Sequence, residues 1–328
     1  MDPNVAMETA AEGAKALTKL QEIIQKIFGP QWTRAQAAAD MDANARRLQM
    51  IRDNPDMMIA FVGEKMYACS ATPDELCARA EQRMLTDAVR QEANIEKVLR
   101  VAAGELHAAE KVSDEPVDED WITRLFGIVK DVSNEEMQYV WGKILAGEIA
   151  APKSFSLKTL DILRNISAAE AQVFQKLIPL VVRQGGDCFL LSDSELLQKH
   201  DVAFSDVLLL DECGLVNSSG MLTLNTQVTK HEPGFFLTDE WLVMVRGNQD
   251  GETEVSVGVY ALTKAGRELY AVLAHATDED YVKAFAQCAF EENGKNVTVS
   301  VHKLLSEQGD QLTYDETPVA TYTDDAAK

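Results

Sequence analysis

No C-x-x-C pair occurs in this chain, and no H-E-x-x-H. The five cysteines (Cys69, Cys77, Cys188, Cys213, Cys288) are odd in number and scattered. That excludes a disulfide framework and a zinc ribbon. Cys69 and Cys77 stand eight apart in a stretch of helical composition, too far for a zinc knuckle. The five histidines (His107, His200, His231, His275, His302) are equally dispersed, so no metal ligand is assigned. Glycine-rich phosphate loops and nucleophile–base pairs are missing as well. We therefore assign no catalytic and no cofactor-binding residue, expect no cofactor, and do not expect an enzyme. Nowhere do 18 apolar residues follow one another, which argues against a transmembrane helix. The opening Met1-Asp2-Pro3 has neither a basic segment nor an apolar run behind it, so a signal peptide is not expected and the location expected is cytoplasmic.

Bases are also scarce. Against 53 Asp and Glu stand 31 Lys and Arg, a net charge of −22. From Val181 onward there are 10 bases against 25 acids. Such a field repels polyanions, so nucleic acid is not an expected partner. A protein partner, or self-association, is.

What the chain does have is apolar mass, 46% of its residues, enough for two or three domains. Residues 9–28 place Ala10, Ala14, Leu17, Leu20, Ile24, Ile27 and Phe28 at helical spacing, with Gly29-Pro30 as the stop. Lys15, Lys19 and Lys26 on other faces leave membrane association through 9–28 open. The alanine-diluted stripe without tryptophan favours helix-on-helix packing instead. Residues 31–110 are helical in composition, with a break at Asn54-Pro55 and one long helix from Pro73 to about Ala109. The acidic stretch SDEPVDED at 113–120 reads as a linker.

The middle of the chain gives the strongest pattern. Ser133-Asn134-Glu135-Glu136 fits a capping box, Ser133 on the third helical N–H and Glu136 reaching back. Met137, Val140, Trp141, Ile144, Leu145 and Ile149 then form one apolar stripe, with Gly147 and Pro152 at its end. Ser167–Glu170 and Ser192–Glu195 fit further capping boxes. A helix over 204–213 closes at Gly214 in the left-handed cap position. Strands are expected at 188–191, 221–224, 241–245 and 255–259, the last two as a hairpin around Asn248–Gly251. A helix over 277–291 and a strand through Val297, Val299 and Val301 follow, then an acidic, apolar-poor tail expected to be disordered.

The block VSNEEMQYVWGKILAGEIAAPKSFSLKTLDILRNISAAEAQVF resembles the bacterial domain-of-unknown-function family 2806 (DUF2806). That family carries V-S-x-E-E-M-Q-x-L-W-x-x-I-L-A-G-E after a D-E-P-x-D-x-D-W-I segment, here 114–122. A P-G-S-F-S-x-R-T segment follows, here Pro152–Thr159. Phe155 and Thr159 match it, whereas Lys153 stands where the family has glycine and Lys158 where it has arginine. Leu210–Val216 resembles a further L-E-x-x-G-L-I segment. Gly29-Pro30 and Gln91–Ile95 resemble upstream features. The resemblance implies no chemistry, since the family has no assigned activity. It associates the chain with a stress or phage-defence setting.

The expected fold class is α+β, predominantly helical. A helical arm (1–112) leads to a central helical domain holding the family block (113–183). A winged-helix-like α/β module (184–276), a helix–strand extension (277–307) and a disordered acidic tail (308–328) complete it. The residues singled out are structural: Ser133, Glu136, Met137, Trp141, Leu145, Gly147, Phe155 and Gly214. The polar residues of the block (Glu135, Glu136, Gln138, Lys143, Glu148) are expected at the surface. A non-enzymatic interaction or scaffold protein is the first functional expectation. A winged-helix nucleic-acid-binding regulator and a membrane-associating effector are the alternatives.

Overall fold

The computed structural model describes residues 3–28, 73–273, 276–308 and 311–324. The features expected at Gly29-Pro30, Asn54-Pro55, Cys69 and His275 lie outside them. The chain forms two compact units, Met1–Leu157 and Lys158–Lys328. The central helical block expected at 113–183 is thus divided between them.

The first unit holds α1 (Pro3–Phe28), α2 (Pro73–His107), α3 (Glu119–Val129) and α4 (Glu135–Ala150). α2 runs its full 35 residues because proline occurs only at its first position and Gly104 is its one glycine. Its buried residues Ile95, Val98, Leu99, Ala102 and Leu106 recur at helical spacing. α2 packs against α1, α3 and α4, whose own buried residues are Ala16, Leu20 and Ile23 in α1, Trp121, Ile122, Leu125 and Phe126 in α3, and Trp141, Ile144, Leu145 and Ile149 in α4. The acidic linker is held by the lysines of α1. Lys15 Nζ donates to Val112 O at 2.7 Å and pairs with Asp114 at 2.6 Å. Lys19 Nζ donates to Ser113 O at 2.5 Å and Glu115 O at 2.7 Å, and Lys26 pairs with Glu119 at 3.0 Å.

The second unit begins with α5 (Leu157–Asn165), whose first residue closes the unit before it, and α6 (Ala168–Leu177). Then come β1 (Val182–Gln184), β2 (Asp187–Leu191), α7 (Ser194–Lys199), α8 (Phe204–Glu212), β3 (Val216–Val228), β4 (Gly234–Leu237), β5 (Trp241–Gly247), β6 (Thr253–Leu262), α9 (Lys264–Tyr270), α10 (Glu279–Asn293), β7 (Val297–Gln308), β8 (Gln311–Tyr314) and β9 (Ala320–Tyr322). The nine strands make one antiparallel sheet in the order β3-β6-β2-β1-β4-β5-β7-β8, with β9 also on β7.

This sheet overturns the predominantly helical fold class and the winged-helix-like module. The fold is mixed, helical toward the N-terminus and sheet-rich toward the C-terminus. β5 and β6, expected to pair as a hairpin, do not pair with each other. β5 lies between β4 and β7, and β6 between β3 and β2. Trp241 to Val245 are five consecutive buried residues, so β5 is covered on both faces and needs a partner at each edge. The turn at 248–251 therefore links strands that are not neighbours. The tail expected to be disordered supplies β8 and β9 instead. His302 helps to fix it. The ring Nδ1 lies 2.8 Å from Asp315 O, an acceptor only, so Nδ1 carries the proton and Nε2 accepts from Ser300 Oγ at 2.9 Å.

α10 packs on the sheet against β5, β6, β7 and β9. Its Tyr281, Val282, Phe285, Ala286 and Ala289 are buried, and Phe285 meets Phe236 of β4 edge-on at 5.2 Å. The end of α10 also completes the stretch of β6 that β2 is too short to reach. The Asn293 amide accepts from Ser256 N and donates to Ser256 O, both at 2.8 Å, as a neighbouring strand would. Glu292 accepts from Gly258 N at 3.1 Å.

Candidate functional site

The block singled out in the sequence is assembled in the first unit around α4. Its stripe contains polar residues as well as apolar ones. Gln138 and Glu148 fall three before and seven after Trp141, on the side that faces inward, and both are buried, Glu148 to 1% exposure. This corrects the expectation that the polar residues of the block are exposed. The helix start also differs. Asn134, and not Ser133, is the N-cap of α4, its side chain accepting from Met137 N at 2.9 Å, and Ser133 and Glu136 are exposed. Met137 is half-buried, while Trp141 and Leu145 are fully enclosed.

The buried side chains of Gln138, Asn94 and Glu148 bond to the chain itself. Gln138 Nε2 donates to Val132 O at 2.8 Å and to Asn94 Oδ1 at 3.1 Å, and Asn94 Nδ2 donates to Lys130 O at 2.9 Å. These amides satisfy carbonyls left over where α3 ends. Glu148 receives Lys153 N at 2.6 Å on one carboxylate oxygen and Phe155 N at 2.9 Å on the other. The loop so gripped carries Lys153 at φ 75°, a left-handed conformation that glycine adopts without strain. That is the position where the DUF2806 pattern has glycine. Here the Lys153 ammonium instead pairs with Glu115.

Phe155, turned inward by this loop, is 5% exposed. Its carbonyl accepts from Trp121 Nε1 at 2.8 Å. A Cβ on Gly147 would stand 2.8 Å from the Phe155 ring, and one on Gly142 would stand 2.5 Å from Val101 of α2. The two glycines of the block are thus places of close approach. Trp121, Glu148, Phe155 and Gly147 form one interlocked corner.

In the second unit, the capping box Ser167–Glu170 forms as expected. The Ser167 backbone N–H donates to the Glu170 carboxylate and holds it below the usual carboxylate range. Ser192–Glu195 does not form a box, because Asp193 caps α7 through Glu195 N and Leu196 N. Gly214 has φ 75° and closes α8 as expected, with its carbonyl accepting from Thr263 Oγ1 at 2.6 Å. Thr159, fully buried, donates to Glu268 of α9 at 2.5 Å. That pair spans 109 residues of sequence, and no local pattern signals it.

The nearest thing to a reactive constellation is Cys288 with Asp193, beside His200, Asp278 and Tyr281. Cys288 Sγ lies 3.8 Å from Asp193 Oδ2, and His200 Nδ1 lies 3.9 Å from Asp278. The His200 ring meets the buried Tyr281 ring edge-on at 5.3 Å. Burial, reinforced by Asp193 and Glu291, pushes the Cys288 thiol up to about 11. Burial and Glu170 raise Cys213 to about 11 as well, and burial raises Cys188. A nucleophilic cysteine requires the opposite shift. Among the described residues, no group of three His, Cys, Asp or Glu is placed to hold a metal ion.

The family model for proteins of unknown function DUF2806 matches residues 78–286, well over half the chain. The chain belongs to that family. No curated protein and no solved structure matches it. The DUF2806 match begins inside α2 and ends inside α10, so α1 and the strands β7–β9 lie beyond it. It does include the Glu148 loop, the Gln138–Asn94 pair and the Thr159–Glu268 pair.

Proposed function

We propose that this DUF2806 protein works without catalysis, as an interaction or scaffold protein. The observation that carries this reading is where its buried polar groups point. Glu148, Gln138 and Asn94 hydrogen-bond to backbone or to each other, and the thiols are shifted away from reactivity. A second observation supports it. Phe204 and Leu208, four apart on α8, are 54% and 42% exposed, with Asp206, Asp211 and Glu212 on the same helix. An apolar pair framed by carboxylates suits a protein surface with apolar anchors and basic neighbours. Under the nucleic-acid alternative this helix would have to read the groove. It bears no Lys or Arg. For membrane association, the apolar residues Ala16, Leu20 and Ile23 of α1 would have to leave the core they occupy.

The test is proximity labelling in the cells that make the protein, comparing the native chain with Phe204→Ser/Leu208→Ser. The expected outcome is loss of specific labelled proteins from the variant with its melting temperature unchanged. Unchanged labelling would remove α8 as the docking face. Glu148→Gln or Glu268→Gln abolishing biological activity under conditions where the variant is shown to remain folded would overturn the non-catalytic reading itself.

A further inference from the structure

The two outer edges of the sheet are protected very differently. β8 is four residues long and is flanked by Glu307, Asp315 and Glu316. Short length and nearby charge are two of the devices by which proteins blunt a strand edge. The free stretch of β6 is closed by the side chains of Asn293 and Glu292. β3 has no such device along its regular part. It pairs with β6 in unbroken register from Leu222 to Val228, and its irregularity is confined to the span between Asn217 and Leu222. Among the described residues, no backbone hydrogen bond joins Leu222–Gln227 to anything but β6.

The composition of this strand is unusual for the chain around it. From Cys213 to Thr229 no residue is charged, in a protein with 26% charged residues and a net charge of −22. There is no proline in it either. Thr223, Asn225 and Gln227 are exposed on one face, and Leu222 and Leu224 are half-buried on the other. Two copies of a strongly acidic protein repel wherever their charged faces meet. Along a neutral strand they do not.

We propose that β3 is a self-association edge, on which a second copy of this chain pairs its own β3 antiparallel about a two-fold axis. Centring the pairing on Asn225 matches all seven residues from Leu222 to Val228. Thr223 of one copy then faces Gln227 of the other, twice over. The arrangement is isologous, so the strand is its own complement. It joins two sheets into one, and the half-buried Leu222 and Leu224 approach the partner's strand. The proposal rests on the strand and not on the α8 surface, so either can fail without the other.

Two measurements test it on the full-length protein. The first is sedimentation equilibrium of the native chain over a range of concentrations, at low and at high salt. A monomer–dimer equilibrium that tightens as salt rises is expected, because screening removes the repulsion of the acidic surfaces while backbone pairing persists. The second uses paired substitutions at exposed positions. Thr223→Lys/Gln227→Lys sets like charges opposite each other twice and weakens the dimer at least about tenfold, although it lowers the net negative charge. Thr223→Lys/Gln227→Glu sets opposite charges across the same axis and restores dimerisation to near the native level. Melting temperatures of both variants report that the fold is kept. A native chain that stays monomeric at every concentration and salt overturns the proposal. So does a double-lysine variant that dimerises like the native chain.

Discussion

The helical unit and the sheet unit differ in the sequence scale of some of the hydrogen bonds that hold them. In the helical unit the Glu148 carboxylate reaches five and seven residues ahead, and Asn134 caps its own helix. In the sheet unit β3 pairs with β6, β5 with β7, and Thr159 with Glu268, each across dozens of residues. Local closure leaves its signature in spacing, and distant closure does not. The contrast explains why the family block stands out in the sequence. It is conspicuous because its helix cap, its inward stripe and the Glu148 loop are encoded within a few residues of one another, although the helices they pack against lie farther off.

The most severe way to break the comparison is to end the chain at Asn296. That removes β7 and with it seven pairs to β5 together with the buried Val297, Val299 and Val301. Hydrogen exchange is expected to show protection lost throughout 182–262 and kept in 95–149. Persistent protection in β5 would mean that the tail is an accessory. Next come single core deletions, Trp141→Ala in the helical unit and Phe285→Ala in the sheet unit. Both side chains are fully buried, and each deletion costs about 3–5 kcal/mol. Exchange should accelerate in 95–149 for the first and in 241–304 for the second; identical exchange patterns would show that the division into two units has no energetic meaning.

A smaller effect separates the two oxygens of Glu148. Glu148→Ala strands two backbone donors and costs about 3 kcal/mol, whereas Glu148→Gln keeps one acceptor and costs about half as much. Urea unfolding orders the two variants, and equal costs would show that only one of the two bonds matters. The smallest change is a gain. Lys153 holds a left-handed backbone, and replacing it by the glycine of the family pattern relieves about 1–2 kcal/mol of strain while adding entropy to the unfolded chain. Lys153→Gly is therefore expected to raise stability by about 0.5–1 kcal/mol, seen as a small rise in melting temperature. A fall would mean that the ion pair with Glu115 outweighs the strain.

Much of the element map was legible. The α2 helix, the Ser167–Glu170 box, the Gly214 cap and the Val255–Val257–Val259 alternation all stand where spacing puts them. The burial of Glu148, at the corner around Phe155, and of Gln138, at the start of α4, is also legible, since both fall on the stripe of Trp141 and Leu145. For Glu148, charge alone points to exposure and is the weaker signal. A buried carboxylate facing two backbone N–H groups satisfies the same inward spacing. The hairpin failed for a different reason. A turn between two strands says where the chain reverses, not which strands become neighbours. The tail failed because its strands are short and polar, and they are ordered by β7 and by His302.

Sequence by itself determined where most of the helices lie and which of their faces turn inward. Those properties follow from residues within a few turns of one another. Only the tertiary structure decided which strands pair, that α10 packs on β5, β6, β7 and β9, and that, among the described residues, the backbone of Leu222–Gln227 pairs with β6 alone. Pairing partners are chosen by burial on both faces of a strand and by contacts many residues away, and no single stretch of sequence contains them.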